Sequence, residues 1–222
     1  MTGRVARLFL RRREVLLPTV WGWLALGLAA TVAIMLAGRN LHAFLAIDEP
    51  VGARILVVEG WMPPSALDEV ITTIHARGYE RVVTVGGPIE AWPRPPQPTY
   101  AELAADYLTQ HGIPPSAVTA VPGQPMGRER TYRTALALRE WALRSELKPA
   151  AIDVYSIGTH ARRSRLLFRM ALGPEVRVGV YAAHSFVYNE LSWWDSSVGV
   201  RDVLEQAVQF FWVKLFFWPP AP

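Results

Sequence analysis

Apolar residues follow one pattern near the N-terminus and a different one in the rest of the chain. From Val15 to Gly38 the sequence is mainly apolar and carries no charge. As a helix rising 1.5 Å per residue, this stretch is long enough to cross the roughly 30 Å hydrocarbon core of a bilayer. Beyond it, short β-branched runs alternate with stretches of helical periodicity. The pattern predicts one transmembrane helix followed by an α/β domain.

Five runs have the composition of buried strands, and helical patterns separate them. The strands are predicted at Ile55–Val58, Val82–Val85, Ala117–Val121, Ile152–Ile157 and Val176–Val180. Helices are predicted from Leu67 to Gly78, from the capping-box pair Thr99 and Glu102 to Gly112, from Thr131 to Glu146, and from His160 to Leu172. Strands that alternate with helices form βαβ units with right-handed crossovers. The expected fold is a Rossmann-like three-layer α/β sandwich with a mainly parallel sheet.

The basic N-terminal segment, residues 1–14, predicts how the chain lies in a membrane. It holds five Arg and one Glu, which accounts for the whole net charge of +4. Because basic flanks stay in the cytoplasm, the domain is expected outside it, on a single-pass anchor. A nucleic-acid partner is not expected, since the excess charge is a topology signal. A cleaved signal peptide is the alternative, although its apolar stretch is usually only about 7 to 15 residues.

The remaining organisation follows from composition. Residues 15–38 form the predicted anchor, 39–190 the α/β domain, and 191–222 an aromatic C-terminal helix. The chain has no cysteine, which excludes disulfides, thiol catalysis and thiolate metal sites. The loop Ala91–Pro98 contains four prolines and is the candidate for a segment that closes over a ligand.

Ligands of parallel α/β sheets bind beyond the carboxyl ends of the strands. Four segments follow predicted strands and are therefore candidates: Glu59-Gly60-Trp61, Gly86-Gly87-Pro88, Arg128–Thr134 and Thr159–Arg163.

The segment beginning at Thr159 carries the most chemistry. Helical spacing places Arg163 in line with the apolar stripe Leu166, Leu167 and Met170, which is expected to face the sheet, and His160 lies one turn earlier. A guanidinium, an imidazole and the free N–H groups of a helix start form a site for a phosphate or carboxylate. We predict that Arg163 and Thr159 bind the ligand and that His160 is catalytic. The alternative is a structural helix start, in which Arg163 pairs with a carboxylate and His160 is a cap.

Glu59 is predicted to end a buried strand, where a carboxylate is costly unless it pairs with a cation or takes part in chemistry. We predict that it is a second catalytic residue, partnered by His160, Arg163 or an arginine of residues 128–133, with a structural ion pair as the alternative. The backbones of Gly60, Gly86 and Gly87 are predicted to approach the ligand closely. The Thr131 hydroxyl either contacts the ligand or caps its helix.

These motifs resemble a known family. The segments Thr131-Tyr132-Arg133-Thr134-Ala135 and His160-Ala161-Arg162-Arg163-Ser164, with the Gly-Gly turn and the N-terminal anchor, are similar to the YdcF-like family, which includes SanA-type and ElyC-type proteins. The resemblance covers about Arg54 to Val180. It implies a Rossmann-like domain of unknown reaction, facing the periplasm or cell exterior and linked to peptidoglycan or lipid-carrier metabolism. Glu59-Gly60 stands where the family commonly has Gly-Gly, and Thr134 where it usually has Asn.

The end of the chain is rich in aromatic residues. Residues from Ser192 onward include Trp193, Trp194, Phe210, Phe211, Trp212, Phe216, Phe217 and Trp218, with Lys214 among them. Aromatics beside a lone Lys suit the headgroup region of a membrane, which predicts an interfacial helix and the lipid bilayer as a partner. The alternative is a last helix that packs its aromatics against the sheet.

Two functions are consistent with these residues. The first is an enzyme, a metal-independent hydrolase or transferase, that acts on a phosphorylated envelope intermediate such as a polyprenyl-linked sugar. The second is a noncatalytic module that binds an anionic ligand or holds membrane-protein partners. The chain has no dinucleotide or nucleoside-triphosphate motif, so its cofactor is unassigned, and the scattered histidines do not predict a metal site.

Overall fold

The computed structural model describes residues 17–89, 98–123, 129–145 and 149–219. The basic segment 1–14, Arg128 and nearly all of the loop Ala91–Pro98, for which the sequence makes predictions, lie outside these ranges. The chain divides into two compact units, Met1–Asn40 and Leu41–Pro222.

The described part of the first unit is a single helix, α1 (Val20–Arg39). It is 20 residues long, its side chains are not buried, and the Thr19 hydroxyl accepts a hydrogen bond from the Gly22 N–H at its start. Within the described part of the chain, α1 is the one helix long and apolar enough to cross a membrane.

The second unit is built on a five-stranded parallel sheet. Its strands are β1 (Ile55–Glu59), β2 (Arg81–Gly86), β3 (Val118–Pro122), β4 (Ala151–Ile157) and β5 (Arg177–Ala183). Their spatial order is β3-β2-β1-β4-β5, and all neighbouring pairs are parallel. The chain runs outward from β1 in one direction and then returns to its other side with β4. The junction of β1 and β4 is therefore the topological switch point, where such sheets bind ligands.

Helices cover both faces of the sheet, as the Rossmann-like prediction requires. They are α2 (Leu41–Leu45), α3 (Pro64–Arg77), α4 (Tyr100–Gln110), α5 (Arg130–Arg144), α6 (Ala161–Leu172) and α7 (Ser197–Phe216), with 3₁₀ turns at Pro115–Ala117, Gly158–His160 and Glu190–Asp195. α3 and α4 pack on one face, and α5 and α6 pack on the other. The predicted α/β sandwich with a parallel sheet is confirmed.

The ends of the helices have the local causes expected from the sequence. The Thr99 hydroxyl accepts the Glu102 N–H while the Glu102 carboxylate accepts the Thr99 N–H, so the predicted capping box begins α4. α3 begins at Pro64, and Gly78 ends it in a left-handed conformation with φ of 68°.

Side chains along β1 point alternately to the two faces of the sheet. Leu56 and Val58 pack with α3 and α4, whereas Ile55 and Val57 pack on the α5 and α6 side. By the two-residue period of a strand, Glu59 also points to the α6 side. A buried carboxylate thus emerges beside the first turn of α6.

The inward face of α6 is shifted from the predicted stripe. Leu167 is buried as predicted, whereas Leu166 and Met170 are only partly buried against the core, and the other buried residues of the helix are Ala161, Ser164, Phe168, Ala171 and Leu172. Small side chains at three of these positions let the helix approach the strands, so the inward face is centred on Ser164 and Phe168.

The C-terminal helix belongs to the domain. One face of α7 buries Val203, Ala207 and Phe210 in a cluster with Leu45 and Trp193, and Val213 joins the core beneath α6. This face packs on the domain, although its aromatic residue Phe210 clusters with Leu45 and Trp193 and not with the strands of the sheet. A different face of α7 stays exposed.

Candidate functional site

A cavity of about 830 Å³ opens at the carboxyl edge of the sheet, above the switch point. Glu59 of β1 and Gly86 of β2 line its floor, α5 and α6 contribute their first turns, and α7 forms a further wall. Its volume is within the usual range for small-molecule sites. The cavity is where the fold and strand order predict a ligand.

Glu59 is the deepest acid in this cavity, with only 2% of its surface exposed. The residue after it must be small, because a Cβ on Gly60 would lie 2.2 Å from the Tyr100 carbonyl oxygen. Gly60 therefore permits close packing of β1 against the start of α4. This glycine is not among the residues that line the cavity.

Two serine hydroxyls hold the Glu59 carboxylate. Ser164 Oγ donates to Glu59 Oε2 at 2.8 Å, and Ser156 Oγ donates to the same oxygen. Ser156 lies at the end of β4, the strand next to β1, and Ser164 lies on the inward face of α6. The acid is thus fixed by elements from both sides of the switch point.

His160 lies between this cluster and the cavity. The 3₁₀ turn that carries it leaves β4 through Gly158, whose φ of 41° favours glycine. His160 Nδ1 lies 2.7 Å from Ser164 Oγ and 3.5 Å from Glu59 Oε2. The Trp61 ring packs edge-on against the imidazole, with ring centroids 4.9 Å apart. The ring is therefore held on two sides.

Arg163 completes the cluster on the cavity side. Its Nη2 lies 2.5 Å from His160 Nε2, and its Nε donates to Gln206 Oε1 of α7 at 3.4 Å. Because a guanidinium only donates, Nε2 is the acceptor and the proton of the neutral imidazole lies on Nδ1. A chain of donations results, from Arg163 to His160, from His160 to Ser164 and from Ser164 to Glu59.

The electrostatics of the cluster favour an ionised acid. Burial by itself would raise the pKa of Glu59, but the positive charge that His160 carries in its protonated form and hydrogen bonds from His160, Ser156 and Ser164 outweigh burial and lower that pKa. Burial also lowers the pKa of Arg163, while Glu59, Glu129 and Glu205 oppose the shift. The Arg163 guanidinium is therefore partly desolvated, and the acids that oppose this effect, Glu59, Glu129 and Glu205, line the cavity.

The other predicted ligand-binding residues are spread around the same cavity. Gly86, Gly87 and Thr131 line it. Thr159 also lines it, but its hydroxyl donates to Asp202 Oδ2 of α7 at 2.8 Å. The structure thus brings all the predicted residues except Gly60 to one cavity. Their roles stay predictions.

Sequence reasoning missed two groups of residues. Ser156 and Ser164 were not assigned to the site, although Ser164 ends the His-x-x-Arg-Ser segment. The contribution of α7 was also missed, because nothing local to that helix indicates that it returns to the sheet edge. Its lining residues are Val198, Arg201, Asp202, Glu205, Gln206 and Gln209.

The described lining of the cavity mixes both charges. Its cations are Arg130, Arg133, Arg163 and Arg201, and its acids are Glu59, Glu129, Asp202 and Glu205. Glu129 begins α5 in a left-handed conformation with φ of 59°, which is uncommon for a residue other than glycine. Over the described residues, no group of three or more histidines and acids is arranged to hold a metal ion.

In comparisons with known proteins, no protein-family model matches the sequence, and no curated protein is significantly similar to it.

Proposed function

We propose that this chain is a membrane-anchored protein whose domain binds and acts on a phosphate-bearing ligand in the Glu59–His160–Arg163 cavity. The observation that carries the proposal is the position of His160, with Nδ1 turned to the Glu59 cluster and Nε2 turned to Arg163 at the cavity. An acid that orients a histidine through Nδ1 leaves Nε2 free for proton transfer once its present partner moves.

The chemistry proposed for the site is displacement at phosphorus. A phosphate oxygen takes the Arg163 donors, which releases His160 Nε2. Nε2 then accepts a proton from an attacking water as the new oxygen–phosphorus bond forms and the bond to the leaving group breaks. Glu59 stabilises the resulting imidazolium, and Arg163 with nearby backbone N–H groups stabilises charge on the phosphoryl oxygens.

The proposed ligand is a polyprenyl-linked or similar phosphorylated intermediate of the bacterial cell envelope. Three observations support this choice. α1 is long and apolar enough to anchor the chain in a membrane, the cavity can hold a head group larger than phosphate, and the motifs resemble the YdcF-like family of envelope proteins. The same resemblance and the basic residues before α1 support a domain on the extracytoplasmic side of the inner membrane.

A noncatalytic anion-binding module is the second candidate, and the contact between Arg163 and His160 favours it. A guanidinium held in place by Nε2 can bind an anion through its remaining N–H donors, without any proton transfer. In this function the domain would present the ligand to partner membrane proteins.

Binding and turnover of farnesyl diphosphate by the full chain in detergent tests both functions. Replacing Arg163 by Gln removes charge-assisted hydrogen bonds worth about 1.5–3 kcal/mol, so affinity should fall by roughly 10- to 100-fold. Replacing His160 by Gln should leave affinity largely intact and lower phosphate release by about 10²–10⁴-fold if the site is catalytic.

Arg169 provides the matched control, because it is an exposed arginine on the same helix. Arg169→Gln should bind and react as the natural chain does. Equal affinity of Arg163→Gln and Arg169→Gln would contradict the proposed anion site. Binding without phosphate release in the natural chain would favour the noncatalytic module. If inorganic diphosphate bound with the same affinity as farnesyl diphosphate, only the polyprenyl part of the proposed ligand would be contradicted.

A further inference from the structure

The C-terminal helix α7 has three faces with different surroundings. One face is buried in the domain and consists of Gly199, Val203, Ala207, Phe210 and Val213. A second face lines the cavity through residues that include Asp202, Glu205, Gln206 and Gln209. The third face carries Leu204, Val208, Phe211 and Leu215, at positions i, i+4, i+7 and i+11, and we call these four residues the apolar stripe.

All four side chains of the apolar stripe are exposed among the described residues, Val208 to 70%. Trp212, Phe216 and Trp218 are exposed beside or beyond it. Single exposed apolar residues are ordinary on a protein surface, but a continuous row with large aromatics marks a surface that contacts something apolar.

Phe44 of α2 extends the apolar stripe and relates it to the membrane anchor. Its ring stacks on Phe211 with centroids 6.1 Å apart and meets Phe210 edge-on at 5.5 Å. Phe44 follows Arg39, the last residue of α1, by only five positions. The chain alone limits that separation to about 17 Å, whatever the orientation of the two units. The stripe is therefore tethered close to the point where α1 leaves a bilayer.

Charge around the C-terminal part of the apolar stripe, from Val208 onward, is suited to a lipid surface. No Asp or Glu occurs in the sequence after Glu205, and Lys214 is the one charged side chain in that stretch. The Arg162 guanidinium lies over the Phe44 ring, 4.1 Å from its centroid. Aromatic side chains beside Lys and Arg are favoured in the headgroup region, where the rings are partly buried and the cations meet lipid phosphates.

We propose that the apolar stripe and Phe44 rest in the headgroup region of the bilayer that α1 crosses. This goes beyond the proposed function and does not depend on it. One structural consequence concerns the cavity. Because a neighbouring face of the same helix lines it, the cavity lies within about one helix diameter, 10–12 Å, of the surface that the stripe contacts. A phosphate on a lipid in that surface is then within reach of the site.

The experiment measures the depth of single labels on the full chain in vesicles. The chain has no cysteine, so one cysteine at a time can be introduced and labelled with an environment-sensitive fluorophore. Leu204→Cys reports on the apolar stripe. Leu103→Cys is the matched control, since it replaces a leucine of α4 with nearly the same exposure, 47% against 49% for Leu204. Vesicles contain phosphatidylethanolamine and phosphatidylglycerol, with or without lipids carrying a nitroxide quencher.

We expect lipid-borne quencher to reduce fluorescence at position 204 and to leave position 103 unchanged. The quenching at 204 should persist when the protein is diluted to about one chain per vesicle, since the chain's own bilayer provides the contact. Equal quenching of the labels at positions 204 and 103 by the lipid-borne quencher would overturn the proposal. An apolar environment of the label at position 204 that is lost on dilution would also overturn it, because a second copy of the chain would then be what covers the stripe.

Discussion

Two buried carboxylates lie towards opposite ends of the same sheet, and their partners differ in kind. Asp153 of β4, with no exposed surface, accepts hydrogen bonds from the backbone N–H groups of Val51 and Ala53 at 2.7 and 2.9 Å and from the Tyr79 hydroxyl at 3.0 Å. Glu59 is bound by serine hydroxyls and lies beside the imidazole of His160. Of the two acids, Glu59 alone is among the residues that line the described cavity.

The comparison shows that burial of an acid does not by itself indicate function. Asp153 fastens the segment before β1 to the sheet, and the fit is close enough that a Cβ on Gly179 would lie 2.1 Å from Asp153 Oδ1. Its partners are fixed donors. The partners of Glu59 are hydroxyls that can rotate and an imidazole, and these groups lead to a cavity. A mobile proton and access to a ligand distinguish the candidate site from the structural clamp.

The largest expected effect is on stability, at the structural acid. Asp153→Ala leaves the partly buried N–H groups of Val51 and Ala53 without their acceptor, and each such loss costs about 1–3 kcal/mol. The Tyr79 hydroxyl keeps the Tyr181 hydroxyl as a partner. The free energy of unfolding should therefore fall by about 2–6 kcal/mol, measured by urea unfolding of the full chain in detergent. Asp106→Ala, at an exposed position of α4, should change it by less than about 0.5 kcal/mol. Equal stability of the two variants would contradict the clamp.

A smaller loss is expected at the candidate site. Ser156→Ala removes one hydrogen bond to the ionised Glu59, and a bond to a charged group contributes about 1.5–3 kcal/mol. It also removes one cause of the low pKa of Glu59, so that pKa should rise. NMR titration of the Glu59 carboxyl and urea unfolding measure the two effects. Ser116→Ala, at an exposed serine, is the control, and a Glu59 titration unchanged in Ser156→Ala would count against the cluster as described.

The fold was predictable because its signals are local. Each strand is a short run of β-branched residues, and the ends of α3 and α4 follow from Pro64, Gly78 and the Thr99 capping box. Sequence also selected Glu59, His160 and Arg163, because polar residues that follow buried strands share one edge of a parallel sheet.

The missed residues depend on relations that no local pattern contains. Ser156 reaches Glu59 only because β4 lies next to β1, and strand order is not a property of either strand. Likewise, Thr159 was predicted to bind a ligand, but its hydroxyl meets Asp202, more than forty positions later on α7. Helix α7 showed two apolar faces in one sequence, so its periodicity could not indicate which face would be buried.

The pH dependence of stability tests the description of Glu59 further, with an effect expected to be smaller than that of Ser156→Ala. The pKa of Glu59 is below its ordinary value of 4.5, so the ionised group stabilises the folded state above pH 4.5. This contribution is lost as pH falls through the folded pKa. Glu59→Gln keeps the shape and cannot titrate, so its unfolding free energy should depend less steeply on pH below 4.5. An unchanged acid dependence would contradict a low pKa at Glu59.

The smallest effect is expected at an exposed acid–histidine pair near the same sheet edge. Hydrogen bonding to Glu69 and the charge of Glu69 raise the pKa of His184 above its ordinary 6.5. The pair therefore stabilises the fold fully below pH 6.5, and this contribution is lost as pH rises through the folded pKa. Because His184 is largely exposed, His184→Gln should cost no more than about 1 kcal/mol at pH 6, and this cost should shrink as pH rises through the folded pKa. The contribution of this pair is lost as pH rises, whereas that of Glu59 is lost as pH falls. Unfolding measured across both pH ranges therefore separates the exposed ion pair from the buried site. A loss at pH 6 as large as that of Ser156→Ala would mean that exposure does not distinguish the two pairs.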